Sequence, residues 1–125
     1  MNKAELLART KAFALRILKL VDRLPRTASA RAIGGQLVRS GTSIGANYRA
    51  ACRSRSRAEF AAKLGVVAEE ADETIYWLEL IRDGELVSEN RLTELLHEAD
   101  ELTAIFTAGR RTSSRNQTSN VKPQT

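Results

Sequence analysis

Three sets of side chains in this sequence have types and spacings that could do chemistry. The first is Arg49, Arg53, Arg55 and Arg57, four guanidinium groups within nine residues. A guanidinium stays charged at any physiological pH, and its planar fork matches a phosphate. At 100° per residue, Arg31, Arg39, Arg49 and Arg53 share a helical arc of about 80°, and Lys63 carries the basic run further along the chain. Arg39, Arg49, Arg53, Arg55, Arg57 and Lys63 therefore make a candidate phosphate-contacting stripe for nucleic acid. The competing reading of the same charges is ion pairing with an acidic helix, within or between protomers. Base stacking has little to work with, because no aromatic residue interleaves the arginines.

The second set is Cys52 and His97. Beside Arg49 and Arg53, the Cys52 thiol could be acidified into a nucleophile. No histidine stands near it in sequence, so a small residue at a helix crossing is the simpler reading. His97, the single histidine, lies among Glu94, Glu98 and Glu101, the setting of a solvated or salt-bridged side chain. The third set is Glu69, Glu70, Asp72 and Glu73. Di-iron bundles need Glu-x-x-His pairs on facing helices, and none occurs, so these acids read as a charged face. The glycines fit neither a Walker A loop nor a dinucleotide fingerprint. No catalytic residue, metal site or cofactor is expected, and the chain reads as non-enzymatic.

The elements that must position these residues are four amphipathic helices. The first is predicted over Asn2–Arg23, where Leu6, Leu7, Phe13, Ala14, Ile17, Leu18, Leu20, Val21 and Leu24 fill an arc of roughly 160°, wider than one neighbour needs; Pro25 ends it. The second begins at a Thr27 or Ser29 cap and runs to about Arg53. Its Ile33, Leu37, Ile44, Tyr48 and Ala51 form the apolar face, with Gly34, Gly41 and Gly45 on the border, where they would let a neighbour approach. The third starts with the capping-box pattern Ser56-Arg57-Ala58-Glu59, continues through Phe60, Leu64, Val67, Ala71, Ile75 and Leu78, and stops at Gly84. The fourth spans Ser88 to about Ala108 with Leu92, Leu95, Leu96, Ala99, Leu102 and Phe106 inward. Short connections between such helices predict an all-α, antiparallel up-and-down four-helix bundle over residues 1–108. Residues 109–125, after Gly109, have the composition of a disordered basic tail.

Charge is segregated along the chain. Residues 1–68 hold 14 Lys/Arg against 3 Asp/Glu, residues 69–101 hold 2 against 12, and residues 102–125 hold four bases and no acid, for a net +5. A field with two poles attracts polyanions at one of them and lets protomers attract one another. The third helix adds an apolar and aromatic outer face, Val66, Tyr76, Trp77 and Leu80, interleaved with acids. Burying such a face would gain several kcal/mol at about 25 cal/mol per Å², so it is the expected oligomer interface. One cysteine, and the absence of an apolar run near the roughly 18 residues of a membrane span, fit a cytoplasmic protein without a membrane partner.

The stretch "QLVRSGTSIGAN", Gln36–Asn47, together with "AEFAAKLGVVAEEADETIYWLELI", resembles the four-helix-bundle family of 23S rRNA intervening-sequence proteins over roughly residues 10–108. Where that family often continues Asn-Ile-Ala-Glu-Gly, this chain has Asn47-Tyr48-Arg49-Ala50-Ala51, losing the glutamate and gaining an arginine. The resemblance implies a ring-like homo-oligomer, commonly a homopentamer. It also implies kinship with the accessory variability determinant proteins of diversity-generating retroelements, which bind nucleic acid and assist a reverse transcriptase. Two functions follow as expectations. One is a homo-oligomer whose arginine face binds RNA or DNA. The other is an interaction module, such as an accessory subunit for a polymerase-type partner, whose charge poles serve assembly.

Overall fold

The structure, a computed structural model, describes residues 1–121, and the side chains of residues 1–115. It is all-α: α1 (Lys3–Val21), α2 (Ala28–Ala51), α3 (Arg57–Asp83) and α4 (Glu89–Val121), with no strand among the described residues. The starts of the first three helices follow from capping side chains. Asn2 accepts from the Glu5 N–H at 2.8 Å, Thr27 from Ala30 at 3.2 Å, and Ser56 from Glu59 at 3.1 Å, each satisfying an N–H that the helix itself cannot. The Glu59 carboxylate is held below its ordinary range first by a hydrogen bond with Lys63 and further by a backbone hydrogen bond at Arg55, one residue before the cap.

Three of the four helix ends, those of α1, α2 and α4, differ from expectation. α1 stops at Val21 and α2 at Ala51, with Asp22 and Cys52 as C-caps; each ends about two residues early, as the last turns tighten before the connections. At the end of α3, Gly84 is the C-cap in right-handed backbone, and the left-handed residue is Glu85, φ 53°. The Glu85 N–H reaches the Arg82 carbonyl and the Leu86 N–H reaches that of Ile81, both at 3.0 Å, a Schellman closure with a non-glycine at its left-handed position. Finally, Gly109 does not end α4, which continues to Val121. A glycine inside a helix costs only about 1 kcal/mol, and α4 packs on α3 at this turn, with Leu64 in ordinary van der Waals reach, 3.4 Å, of where a Gly109 Cβ would be. Residues 122–125 of the expected tail lie outside the described residues.

Packing is a square of four helices. α3 packs along α2 and α4, α1 along α2, and α1 meets α4 over a shorter stretch; neither α1 with α3 nor α2 with α4 makes a backbone approach. Phe13, Ile17, Leu37, Ile44, Val67, Leu78, Ile81, Leu92, Leu102 and Phe106 are fully buried in one core. Tyr48 joins it, its ring 5.2 Å from that of Phe106. The border glycines of α2 face α1: an added Cβ would meet Val21 and Leu24 at Gly34, Ile17 at Gly41, and Thr10 at Gly45. Close approach to a neighbour is thus their role. Where α1 and α4 pack least, Arg9 grips Glu98 through two bonds of 2.7 Å, Nε to Oε2 and Nη2 to Oε1, a bidentate clamp between the first and last helices.

Candidate nucleic-acid interface

The basic residues from α1 to the first turns of α3 separate into two groups once their neighbours are in place. One group is neutralised by acids of α3 and α4. Arg9 binds Glu98 and Glu101, Arg16 lies 3.6 Å from Glu94, and Arg39 reaches both Glu70 and Glu73. Lys63 is held 3.1 Å from Glu59 on its own helix. Intrachain pairing therefore accounts for two members of the expected stripe, Arg39 and Lys63.

The other group makes no ion pair among the described residues; besides Lys3 and Lys11 it includes Arg49, Arg53, Arg55 and Arg57. Arg49 and Arg53, near the end of α2, line a groove of about 520 Å³ between α2 and α1, and Lys3 and Lys11 of α1 line it from the other side. Its remaining walls are Leu7, Thr10, Ala14, Thr42, Gly45, Ala46 and Cys52, with no carboxylate. Ala14 and Ala46 line the groove with side chains too small to fill it. Four cations around a low-dielectric trough without a counter-ion focus positive potential there. Arg55 and Arg57 continue the basic surface through the turn into α3, both exposed.

Sequence reasoning missed Lys3 and Lys11, which became relevant only when α1 was placed beside the end of α2. It also assigned Arg110, Arg111 and Arg115 to a loose tail. They stand on α4, and the Arg110 side chain lies over Gly65, its Cδ 3.3 Å from where a Cβ would be. The signal for this was present as bases without acids after residue 101, but the stop assigned to Gly109 hid it.

The other expected sites are placed as follows. Cys52 is half-buried at the groove, beside Tyr48, whose hydroxyl is pushed up to about 12 by burial and then by Cys52. His97 is exposed, 3.6 Å from Glu101, and lines a separate mixed-charge depression with Arg16, Arg82, Glu89 and Glu94; the two residues do not share a site. Of the expected interface, Val66 and Tyr76 are exposed, whereas Leu80 and Trp77 are half-buried; Trp77 packs on its own core and donates to Glu73 at 3.0 Å. No helix of the described residues is long and apolar enough to cross a membrane.

An all-α bundle of four helices defines the class. The chain belongs to the 23S rRNA-intervening sequence protein family, whose model matches residues 2–108. Among solved structures it is similar to a protein of unknown function from the S23 ribosomal protein family of Bacteroides thetaiotaomicron, at 32% identity and a TM-score of 0.81, over 89% of this chain and 99% of that one. Comparison with curated proteins finds no match.

Proposed function

We propose that this protein is a non-enzymatic, cytoplasmic, self-associating bundle with helices alternating in direction, and that it binds RNA or DNA through phosphates. The observation that carries this reading is the division of its cations. The arginines facing α3 and α4 have acids on them, while Lys3, Lys11, Arg49 and Arg53 converge on one groove with none. Arg55 and Arg57 extend that surface, and Arg110, Arg111 and Arg115 add to the basic charge on α4. Self-association rests on the outer face of α3, where Val66 and Tyr76 are 43% and 54% exposed. A closed ring, five-membered by family resemblance, is the form of oligomer we infer.

The test is fluorescence anisotropy with short single- and double-stranded RNA and DNA over a salt series. Affinity should fall with salt at a log–log slope of about −0.7 to −0.9 per phosphate neutralised. Arg49→Glu/Arg53→Glu should remove most of the binding, and Arg39→Glu should remove little. Unchanged affinity in the first variant overturns the assignment. The second reading, an accessory module for a polymerase-type protein partner, is favoured by the acidic-aromatic face of α3. It holds if the wild type ignores nucleic acid while charge reversal on α3 abolishes capture of that partner.

A further inference from the structure

Apart from Met1, the large hydrophobic side chains that remain exposed among the described residues are four: Leu15 at 53%, Leu18 at 40%, Val66 at 43% and Tyr76 at 54%. They fall on two helices only, and each pair belongs to a seam of alternating three- and four-residue steps. On α1 the outward seam is Ala8, Lys11, Leu15 and Leu18; on α3 it is Val66, Glu69, Glu73, Tyr76 and Leu80. Spacing of this kind keeps a stripe facing a partner helix over several turns. Inside the protomer no helix packs along either seam, because each lies on the outer side of its helix; Glu73, at the edge of the α3 seam, is reached by Arg39 of α2.

The charges on the two seams are opposite. Lys11 and Lys19 flank the leucines of α1, and neither makes an ion pair among the described residues; Glu69 and Asp72 flank Tyr76 of α3 and likewise make none. An α3 seam against another α3 seam would set Glu69 and Asp72 against their own copies. Two α1 seams would oppose their lysines. Only α1 against α3 joins apolar to apolar and cation to anion.

We propose that the α1 seam of one copy docks on the α3 seam of the next. This rests on the self-association reading and supplies the receiving surface that reading lacks. α1 and α3 occupy diagonal corners of the bundle, so one copy cannot satisfy its own seams, and a two-fold dimer would leave one seam of each copy uncovered or mispaired. The contact is head-to-tail: it closes as a ring or continues as a filament. Lys11 stands at the lip of the basic groove as well as in the seam, so each groove borders a junction between copies.

The experiment uses the full chain in a Cys52→Ala background with three variants: Leu15→Cys, Tyr76→Cys, and both together. Packed helices lie about 8–10 Å apart, within reach of a short bismaleimide. Head-to-tail docking gives a ladder of covalent oligomers from the double variant and only monomer from either single variant on a denaturing gel. Dimers from Tyr76→Cys alone or Leu15→Cys alone overturn head-to-tail docking while leaving self-association standing. A wild-type monomer in light scattering at the same concentration, with no cross-linking in any variant, overturns both.

Discussion

Arg39 of α2 reaches across to α3, where its Nη1 lies 3.2 Å from Glu70 Oε2 and its other terminal nitrogen binds Glu73, the same carboxylate that accepts from Trp77 Nε1. Helix-wheel geometry puts Arg39 on one arc with Arg49 and Arg53, yet the three serve different neighbours. Arg39 meets acids; the other two meet the lysines of α1 across a groove. The Arg39 pair is partly exposed, 46% for the arginine against 21% and 37% for the glutamates, so it contributes a modest amount. Arg39→Ala should lower stability by about 0.5–1 kcal/mol in urea unfolding. Arg9→Ala, which removes a bidentate and better covered clamp on Glu98, should cost about 1–3 kcal/mol. A larger loss from Arg39 than from Arg9 would reverse this order.

Gly41 and Gly35 sit in the same helix and should respond oppositely to alanine. At Gly41 the new methyl would meet Ile17 at 3.0 and 3.1 Å. Ile17 is fully buried and β-branched, so it has no alternative rotamer to retreat into. Gly41→Ala should therefore destabilise by about 1–3 kcal/mol through overpacking. At Gly35 nothing lies within 4 Å, and Gly35→Ala should stabilise by about 0.5–1 kcal/mol through helix propensity alone. Thermal melts of the two variants beside the wild type read the sign directly.

This contrast also marks what was legible in the sequence. Gly34, Gly41 and Gly45 stand at the edge of an apolar arc, so a close helix approach could be inferred, and the Ser56 cap announces itself by residue type and spacing. The identity of the neighbour could not be inferred: no periodicity in α2 says that Gly41 meets Ile17 or that Arg39 meets Glu70. The same limit hid the candidate groove. Arg49 and Arg53 were visible as unusual, but Lys3 and Lys11 are ordinary surface lysines until α1 lies beside them. Gly109 misled for a different reason. Its local preference for a stop is weaker than the packing of α4 on Leu64, and tertiary contact wins over an effect of about 1 kcal/mol. Leu15 lies outside the apolar arc of α1, so periodicity alone gives it no role, though its exposure is what defines the α1 seam.

Glu85 occupies the left-handed position after α3, at φ 53°, and the closure around it is complete: Leu86 bonds back to Ile81 and packs its side chain on the core. The strain of a β-carbon in this conformation is about 1–2 kcal/mol, part of which glycine returns as added unfolded-state entropy. Glu85→Gly should therefore raise stability by up to about 1 kcal/mol, and Glu85→Val should lower it, because a β-branched residue fits that region worst. Denaturant midpoints at constant m-value test both. A glycine variant less stable than wild type would mean that the Glu85 side chain contributes more than its backbone costs.

Tyr48 gives the fold a pH dependence whose direction can be worked out. Its hydroxyl is pushed up to about 12, chiefly by burial and then by Cys52, against an ordinary value near 10. The folded state thus holds the proton more tightly than the unfolded chain. Stability from this group is complete below about pH 10 and is lost as pH rises from about 10 to about 12, since unfolding there allows the phenol to ionise. Lysines titrate over part of the same window, so the informative quantity is the difference between wild type and Tyr48→Phe. That difference should be constant up to about pH 10 and then shift in favour of the phenylalanine variant. In a Tyr76→Phe background Tyr48 is the only tyrosine, and its phenolate absorbance should stay low until near pH 12 or until unfolding, whichever comes first. Ionisation near pH 10 with the helical signal intact would show that water reaches the ring, and that the Tyr48–Phe106 end of the core, next to the basic groove, opens in solution.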